Sequence, residues 1–253
     1  GALSTGHHRF GLRPQPDGSV LYREWAPGAR RLHLIGDFNG WNRHAHPLER
    51  DDHGIWTIHL PPGLLEPGAR VKVHVHGDDP PRDRIPAYIR RVVQEANGDF
   101  VGRYEPGSPP PLPLGERPLD GGLRIYEAHV GMATEEERVG TYREFAERVL
   151  PRIVRLGYNA VQLMAVQEHP YYGSFGYHVS SFYAPSSRFG TPDDLKALIG
   201  EAHRLGLRVL MDLVHSHAVS NVLEGLSRFD GTGHQYFHDG PRGYHVAWDS
   251  RCF

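Results

Sequence analysis

A stretch rich in Pro and Gly separates two parts of the chain that differ in hydrophobic periodicity. It covers residues 107–122, GSPPPLPLGERPLDGG, and its composition predicts a linker. Before it, short apolar runs such as Leu32–Ile35 and Ile55–Leu60 alternate with clusters of Gly, Pro and Asp, as is typical of a β-sandwich. The Asn39-Gly40 pair predicts a hairpin turn. Residues 1–106 are therefore predicted to be all-β.

After the linker, apolar strands alternate with amphipathic helices. The first helix begins at the capping box Thr141-x-x-Glu144 and should be kinked or interrupted at Pro151, and the second begins at Thr191-Pro192. Such βαβ units predict parallel strands, which suit a barrel or an open sheet, and the pattern alone does not decide between them. The predicted strands are Arg124–Val130, Tyr158–Met164 and Arg208–Val214.

Composition excludes several partners. Of the 253 residues, 23% are charged and 39% hydrophobic, and the net charge of −2 gives no attraction to nucleic acid or to anionic membranes. No run reaches the roughly 18 apolar residues of a membrane span. Cys252 is the single cysteine and GALSTGHHRF shows no secretion signal, so we expect a reducing compartment, the cytoplasm or, in a plant-like source, the plastid.

Polar and aromatic residues follow the predicted strands, where parallel barrels carry function. Asp212 ends an apolar strand, although a buried carboxylate could equally hold an Arg or a backbone amide. His215 and His217 lack a third ligand at zinc spacing, so we expect no metal and no cofactor. The loop at 168–178, EHPYYGSFGYH, is long and aromatic. Its rings could stack on sugars or simply pack the loop onto the barrel.

Tryptophans near turns in the first part could also bind sugar rings, since an indole offers a flat apolar face, but each could instead belong to the core. The predicted glucan-binding residues of this module are Trp25, Ala26, Pro27 and Trp41.

Together these motifs resemble the α-glucan branching enzymes of glycoside hydrolase family 13, eukaryotic type. The resemblance implies an immunoglobulin-like sandwich that binds glycogen at 1–106, then the first βα units of an incomplete (β/α)8 TIM barrel at 123–253. The matching runs are Tyr22–Ala29, Gly36–Asn42, Asp83–Arg91, Arg124–Met132, Asn159–Lys196, Val209–His217 and Phe229–Arg251.

The resemblance also implies roles in substrate binding. Tyr177 would stack on the sugar at the cleavage subsite, with His178 beside it. Asp212 would organise the site and orient an arginine, and His217 would bond the 6-hydroxyl of the substrate. Ser216 stands where calcium-dependent amylases carry Asn, which argues against a calcium site. We expect substitutions of Tyr177 and His217 to lower turnover and to leave stability nearly intact.

The implied reaction transfers a 1,4-linked glucan segment to a 6-hydroxyl and makes α-1,6 branches in glycogen or starch. It uses a nucleophile Asp and an acid Glu, expected at the fourth and fifth strands, beyond Phe253. Glu127 and Glu168 do not match those motif positions. No catalytic residue is therefore assigned, and we expect the 253-residue chain to be inactive alone.

Two other functions stay open. A debranching isoamylase or an amylase-type hydrolase of the same family could carry the same module, and a non-catalytic protein could retain it for glucan binding alone. The expected partner is an α-glucan (glycogen, amylose or amylopectin), and we expect the full-length protein to be a monomer.

Overall fold

The computed structural model describes residues 2–107 and 121–253 of the chain. The predicted linker at 107–122 lies almost entirely outside the described residues, so its prediction is not compared further.

The first part of the chain forms two antiparallel sheets. One has the order β1-β2-β5-β4, and the other has the order β3-β6-β9-β8 with β7 paired to β6. The strands are β1 (Gly11–Pro14), β2 (Val20–Trp25), β3 (Arg31–Gly36), β4 (Glu49–Arg50), β5 (Ile55–Leu60), β6 (Arg70–His76), β7 (Arg82–Arg84), β8 (Val92–Gln94) and β9 (Phe100–Arg103). Both sheets contribute to one hydrophobic core, which confirms the predicted sandwich.

The alternating sequence of the strands explains this core. On β6, Val71, Val73 and Val75 are buried, whereas Lys72 between them is only half-buried. Successive side chains of a strand point to opposite faces, so every second residue reaches the core.

The Asn39-Gly40 turn lies in a loop that returns the chain antiparallel to β3, so the prediction holds for the reversal and not for a two-residue hairpin. Asp37–Asn39 forms a 3-10 turn, and Gly40 adopts the left-handed conformation at φ 60°. The returning segment meets β3 at the isolated bridge between His33 and Pro47. The strands β3 and β4 nevertheless belong to different sheets, and the strand that pairs with β3 along its length is β6.

The second part contains a parallel sheet with the order β10-β11-β14. These strands are β10 (Ile125–Ala128), β11 (Ala160–Leu163) and β14 (Arg208–Met211), each shorter than predicted because the apolar sequence continues beyond the paired residues. The parallel order confirms the βαβ interpretation. The helical segments are α1 (Tyr142–Glu144), a π-helical turn (Phe145–Val149), α2 (Leu150–Arg155) and α3 (Pro192–Arg204).

The predicted capping box at Thr141 and the predicted helix start at Thr191 are both present. The Glu144 backbone amide donates to the Thr141 hydroxyl at 3.2 Å, and its carboxylate accepts from the Thr141 amide at 3.1 Å. Thr191 and Asp194 repeat this arrangement at the start of α3, at 3.2 and 2.9 Å. Each box satisfies donors that the first helical turn leaves free.

The first helical segment changes its hydrogen bonding just before Pro151. Proline has no N–H and cannot donate to the carbonyl four residues earlier. The preceding turn is π-helical, and the Leu150 amide donates to the carbonyl of Phe145, five residues back. The helix continues through Pro151 to Arg155, so the proline changes the hydrogen bonding of the preceding turn without interrupting the helix.

Residues 217–253 bring the two parts of the chain together. They contain a small antiparallel sheet, β15-β17-β16, and a long loop between β15 and β16. Leu226, Phe229 and Phe237 of this loop are buried within the core of the sandwich. The hydrophobic core thus extends beyond residues 1–106, and the domain boundary at 106 stays a prediction. The remaining strands are β12 (Gln167–Glu168), β13 (Ser181–Pro185), β15 (His217–Val219), β16 (Tyr244–His245) and β17 (Ser250–Cys252).

Arg84, the last residue of β7, fixes this long loop by polar contacts. Its side chain is 1% exposed. The guanidinium donates to the carbonyls of Arg228 and Gly225 at 2.7 Å each and to that of Ser227 at 2.9 Å. Burial lowers the pKa of Arg84 to about 10, so the group stays charged at neutral pH. A buried charge is costly unless it is hydrogen-bonded, and here the two terminal nitrogens donate to three carbonyls, while Nε is buried without a hydrogen-bond partner.

None of the helices in the described residues is long and apolar enough to cross a membrane.

Removing the Arg84 guanidinium should destabilise the fold. Arg84→Met keeps an extended side chain but leaves three carbonyls without a donor, and each unsatisfied buried group costs about 1–3 kcal/mol. We expect the free energy of unfolding in urea to fall by at least about 3 kcal/mol. Arg31→Met, at an exposed position of β3, is the control, with an expected change within about 0.5 kcal/mol. Equal losses in both variants would contradict the role of Arg84.

Glu24 should make the stability depend on pH. Its side chain is 0% exposed, and burial raises the pKa of its carboxyl from 4.5 to about 7. Tyr22 Oη and the Ala87 amide both donate to Glu24 Oε2 at 2.9 Å, which offsets only part of that burial. Between pH 4.5 and 7 the folded state binds more protons than the unfolded state, so this contribution to stability is lost as the pH rises.

The measurement is urea unfolding at about pH 5 and about pH 7.5 for the wild type and Glu24→Gln. The wild type should lose about 3 kcal/mol more than the variant over this interval, because a pKa difference of one unit corresponds to about 1.4 kcal/mol. Parallel pH profiles of the two proteins would show that Glu24 does not titrate as described.

Candidate functional site

The carboxyl edge of the parallel sheet gathers polar side chains from all three strands. Gln162 Nε2, on β11, donates to Asp212 Oδ1 at 2.7 Å and lies 3.4 Å from Glu127 Oε1 on β10. Asp212 directly follows β14, and its amide donates to the Leu163 carbonyl at 2.9 Å. Adjacent parallel strands end at the same edge, so the amide of Gln162 bridges the two carboxylates there.

Tyr177 connects the long loop after β11 to this edge. Its hydroxyl donates to Asp212 Oδ2 at 3.3 Å. Burial and then the negative charge of Asp212 raise the pKa of Tyr177, so the phenol keeps its proton and remains a donor. The structure thus brings together Tyr177 and Asp212, which lie 35 positions apart in the sequence.

A tight turn places Tyr177 there. Phe175 and Gly176 both have positive φ, at 53° and 91°. A Cβ on Gly176 would lie 2.2 Å from the Ala165 carbonyl oxygen, so only glycine allows this close approach.

The aromatic residues of the loop divide between packing and exposure. Tyr172 and Phe175 lie edge-on to the ring of His129, with centroids 6.1 and 5.6 Å away. Tyr172 is half-buried and agrees with the packing alternative considered for these rings, whereas Phe175 keeps 43% of its surface exposed. Tyr171 is 66% exposed. Both interpretations of the loop therefore apply, to different residues.

His217 is buried by protein partners. Its Nε2 lies 2.9 Å from the Tyr177 carbonyl, and its Nδ1 lies 3.0 Å from Ser216 Oγ. The carbonyl can only accept, so we assign the proton to Nε2, and Nδ1 accepts from the Ser216 hydroxyl. Burial lowers the pKa of His217, which favours this neutral form. Neither ring nitrogen is free for a substrate hydroxyl unless Ser216 turns away.

A pocket of about 590 Å³ opens beside these residues. Its volume lies in the range of sites for small ligands, about 300–1,000 Å³. Three of the four substrate-binding residues inferred from the resemblance line it. The fourth, Asp212, lies behind this lining and accepts a hydrogen bond from Tyr177. The lining side chains include Tyr171, Tyr177, His178, His217 and Trp248.

Sequence reasoning missed Tyr171 and Trp248 as individual site residues. Trp248 is 54% exposed at the pocket, and its indole lies 5.2 Å from the ring of His217. The only signal was its place within the Phe229–Arg251 run of the resemblance. Contacts between β14, the loop after β11 and the turn before β17 depend on tertiary folding, which no local pattern reports.

Glu168 is a buried residue whose carboxylate bonds backbone amides. It is 0% exposed, and its carboxylate accepts from the amides of Ser187 and His169 at 2.8 and 3.1 Å. Burial raises the pKa of Glu168, while these amides oppose the rise. Its bonds therefore hold the loop together.

Trp25, Ala26 and Pro27 lie where the sandwich meets the later loop. The Trp25 ring lies edge-on to Tyr236 at 5.5 Å, and its carbonyl accepts from the Tyr236 hydroxyl at 3.4 Å. Ala26 is 0% exposed, so its side chain is not available to a glucan, contrary to the prediction. Pro27 is half-buried, and its carbonyl accepts from Arg50 at 3.2 Å.

Trp41 lies apart, after a strand of the other sheet. Its Nε1 donates to Asp37 Oδ1 at 3.2 Å, and the Arg70 guanidinium lies 5.7 Å from the ring centroid. The two tryptophans have different neighbours, so the module residues do not share one set of contacts. Glucan binding by Trp25 and Trp41 stays a prediction.

Across residues 2–107 and 121–253 we find no group of three or more His, Cys, Asp or Glu side chains placed to hold a metal ion.

Two family models match the chain. The model for carbohydrate-binding module 48 (isoamylase N-terminal domain) matches residues 9–89, and the model for the α-amylase catalytic domain matches residues 129–241.

Curated proteins match over nearly the whole chain. The 1,4-alpha-glucan-branching enzyme 2-2, chloroplastic/amyloplastic, of Arabidopsis thaliana is 52% identical and covers 100% of this chain. The 1,4-alpha-glucan-branching enzyme of Rhizophagus irregularis is 49% identical over 99% of it. This chain is related along its whole length to the 1,4-alpha-glucan-branching enzymes. The resemblance inferred from the sequence is confirmed. The chain spans 32% and 38% of the length of these two relatives.

Solved structures show the same fold. The catalytic module of the glycogen-degrading pneumococcal virulence factor SpuA superposes with a TM-score of 0.73 at 16% identity, over 100% of this chain and 43% of that one. A putative alpha amylase from Salmonella typhimurium gives 0.69 at 23% identity, over 96% and 38%. The parallel strands are thus the start of an amylase-type barrel, which decides between the barrel and the open sheet left open by the sequence.

The structure changes the expectation for His217. His217→Ala removes both ring bonds and leaves the Tyr177 carbonyl without its donor, so the free energy of unfolding should fall by about 1–2 kcal/mol. His215→Ala is the matched control, since its exposed ring bonds only the nearby Leu213 carbonyl, and we expect a change below about 0.5 kcal/mol. Urea unfolding of both variants checks this. If the two variants are equally stable, the expectation from the sequence that His217 can be replaced without loss of stability would hold.

Proposed function

We propose that this chain is the front part of a 1,4-α-glucan-branching enzyme and holds a glucan chain at the carboxyl edge of its three parallel strands. The observation that carries the proposal is the pocket between Tyr177 and Trp248, in a chain related over its whole length to branching enzymes. A pocket wall of aromatic and imidazole rings, with Asp249 as its single acidic side chain, suits the apolar C–H faces and the hydroxyl groups of a neutral sugar chain.

The proposed roles follow the resemblance. Tyr177 stacks on the sugar ring at the cleavage subsite, with His178 next to it. Asp212 organises the edge through its bonds with Gln162 and Tyr177. His217 bonds the 6-hydroxyl after exchanging its contact with Ser216. The nucleophile and the acid belong to later strands of the barrel in such enzymes.

We further propose the division into a glucan-binding sandwich at 1–106, a linker at 107–122 and the beginning of the barrel at 123–253. The substrates are glycogen, amylose or amylopectin, and the full-length protein is a monomer. The Arabidopsis relative is named chloroplastic/amyloplastic. We propose the cytoplasm or the plastid as the compartment of this protein.

A graft tests the activity. Residues 1–253 would replace the matching front part of the Rhizophagus irregularis relative, which is 49% identical over this region. We expect the chimera to branch amylose, seen as a fall in iodine absorbance and as new α-1,6 signals in proton NMR. Asp212→Asn in the chimera should lower the rate by about a hundredfold, the usual effect of removing a positioned polar group.

The isolated 253-residue chain is the control and should give no fall in iodine absorbance. A chimera that melts cooperatively but releases reducing ends without new α-1,6 linkages would contradict the branching function and favour a hydrolase.

A further inference from the structure

Trp248 lies in the turn between β16 and β17, and its exposed indole is not part of a hydrophobic core. Its backbone amide donates to the His245 carbonyl at 3.2 Å, and the Tyr244 hydroxyl donates to Asp249 Oδ1 at 2.7 Å. These bonds fix the turn on both sides of the tryptophan. The indole is therefore held in place although 54% of its surface is exposed.

The ring of His245 supports the indole from behind. The two rings are 4.2 Å apart at an interplanar angle of 14°, which is a stacked arrangement. His245 covers one face of the indole, and Trp248 lines the pocket that also contains Tyr177. A large aromatic face kept open to a pocket typically marks a binding surface.

We propose that Trp248 stacks on a glucose ring of the bound α-1,4-glucan, next to the ring held by Tyr177, and that His245 is a positioning residue that holds the indole for this contact. The inference rests on the proposed function, because it takes the ligand to be an α-glucan. It adds a second wall to the site, formed by the turn between β16 and β17 opposite the loop after β11.

Chemistry favours a sugar over a charged ligand at this wall. A pyranose ring presents axial C–H groups on its face, which contact an indole without the loss of hydrogen bonds. The side chains that line the pocket with Trp248 include no Lys or Arg that could pair with a phosphate or carboxylate. The hydroxyls at the ring edge could reach Asp249, which also lines the pocket.

The test is calorimetric titration of the 253-residue chain with maltoheptaose. All proteins carry Trp41→Ala, which removes one of the two tryptophans predicted to bind glucan on the module, and any binding that remains at Trp25 is common to all of them. Trp248→Ala should weaken binding about tenfold, the usual effect of losing an anchoring aromatic residue. Trp248→Phe should weaken it less, because a smaller ring remains. Val246→Ala is the control, since Val246 is 89% exposed on the same turn and does not line the pocket, and its affinity should be unchanged.

The positioning role has its own readout. His245→Ala should weaken binding, and His245→Phe should restore it to within about twofold, because an aromatic ring again stacks behind the indole. The fluorescence of Trp248 should change when maltoheptaose binds, and this change should be absent in Trp248→Phe. Circular dichroism melting curves establish that each variant is folded.

The outcomes separate the two proposals. If Tyr177→Ala loses affinity while Trp248→Ala and Trp248→Phe bind as the parent does, the role of Trp248 is overturned and the proposed function stands. If His245→Phe binds no better than His245→Ala, the positioning role of His245 is overturned. If the parent binds maltoheptaose no better than cellohexaose, a β-1,4-linked control, both the inference and the glucan site are overturned.

Discussion

The buried guanidinium of Arg84 is the interaction on which the relation between the two parts of the chain depends. A charged group that is 1% exposed needs hydrogen-bond acceptors, and here the two terminal nitrogens of the guanidinium donate to backbone carbonyls of the loop at 225–228, whereas Nε has no partner. Carbonyls converge in this way only when the loop holds one conformation. The sandwich thereby determines the path of a loop that lies far from it in the sequence.

Other contacts extend the same docking surface. Arg228 donates to both carboxylate oxygens of Asp79, at 2.5 and 2.6 Å, and Asp230 accepts from the Gly28 amide at 2.8 Å. A Cβ on Gly77 would lie 2.1 Å from the Asp230 carbonyl oxygen, so the two backbones touch directly. The loop that begins at His217 and leads to Trp248 is thus held by the sandwich, which connects a predicted binding module to the wall of the pocket.

The sequence predicts a structural feature when the residues that form it lie close together in the chain. The capping boxes at Thr141 and Thr191 join residues three positions apart, so their patterns were sufficient. The turn at Asn39-Gly40 reverses the chain beside β3 with one bridge, but the main partner of β3 is β6, because the whole sandwich determines strand pairing. The contacts of Arg84 cross at least 141 positions. The same limit applies to the contact between Trp25 and Tyr236, which no local pattern indicates, while glucan binding by Trp25 stays a prediction.

The pocket is preformed, because hydrogen bonds connect the segments on its two sides. The Val219 amide donates to the Val179 carbonyl at 3.0 Å, and the Val214 amide donates to Gln167 Oε1 at 2.9 Å. His217 adds a third connection through the Tyr177 carbonyl. A sugar hydroxyl that reaches His217 Nδ1 replaces the Ser216 hydroxyl, so one hydrogen bond is exchanged for another of similar free energy. In the proposed site such a contact would contribute little to affinity, and its proposed effect is to orient the sugar ring against Tyr177.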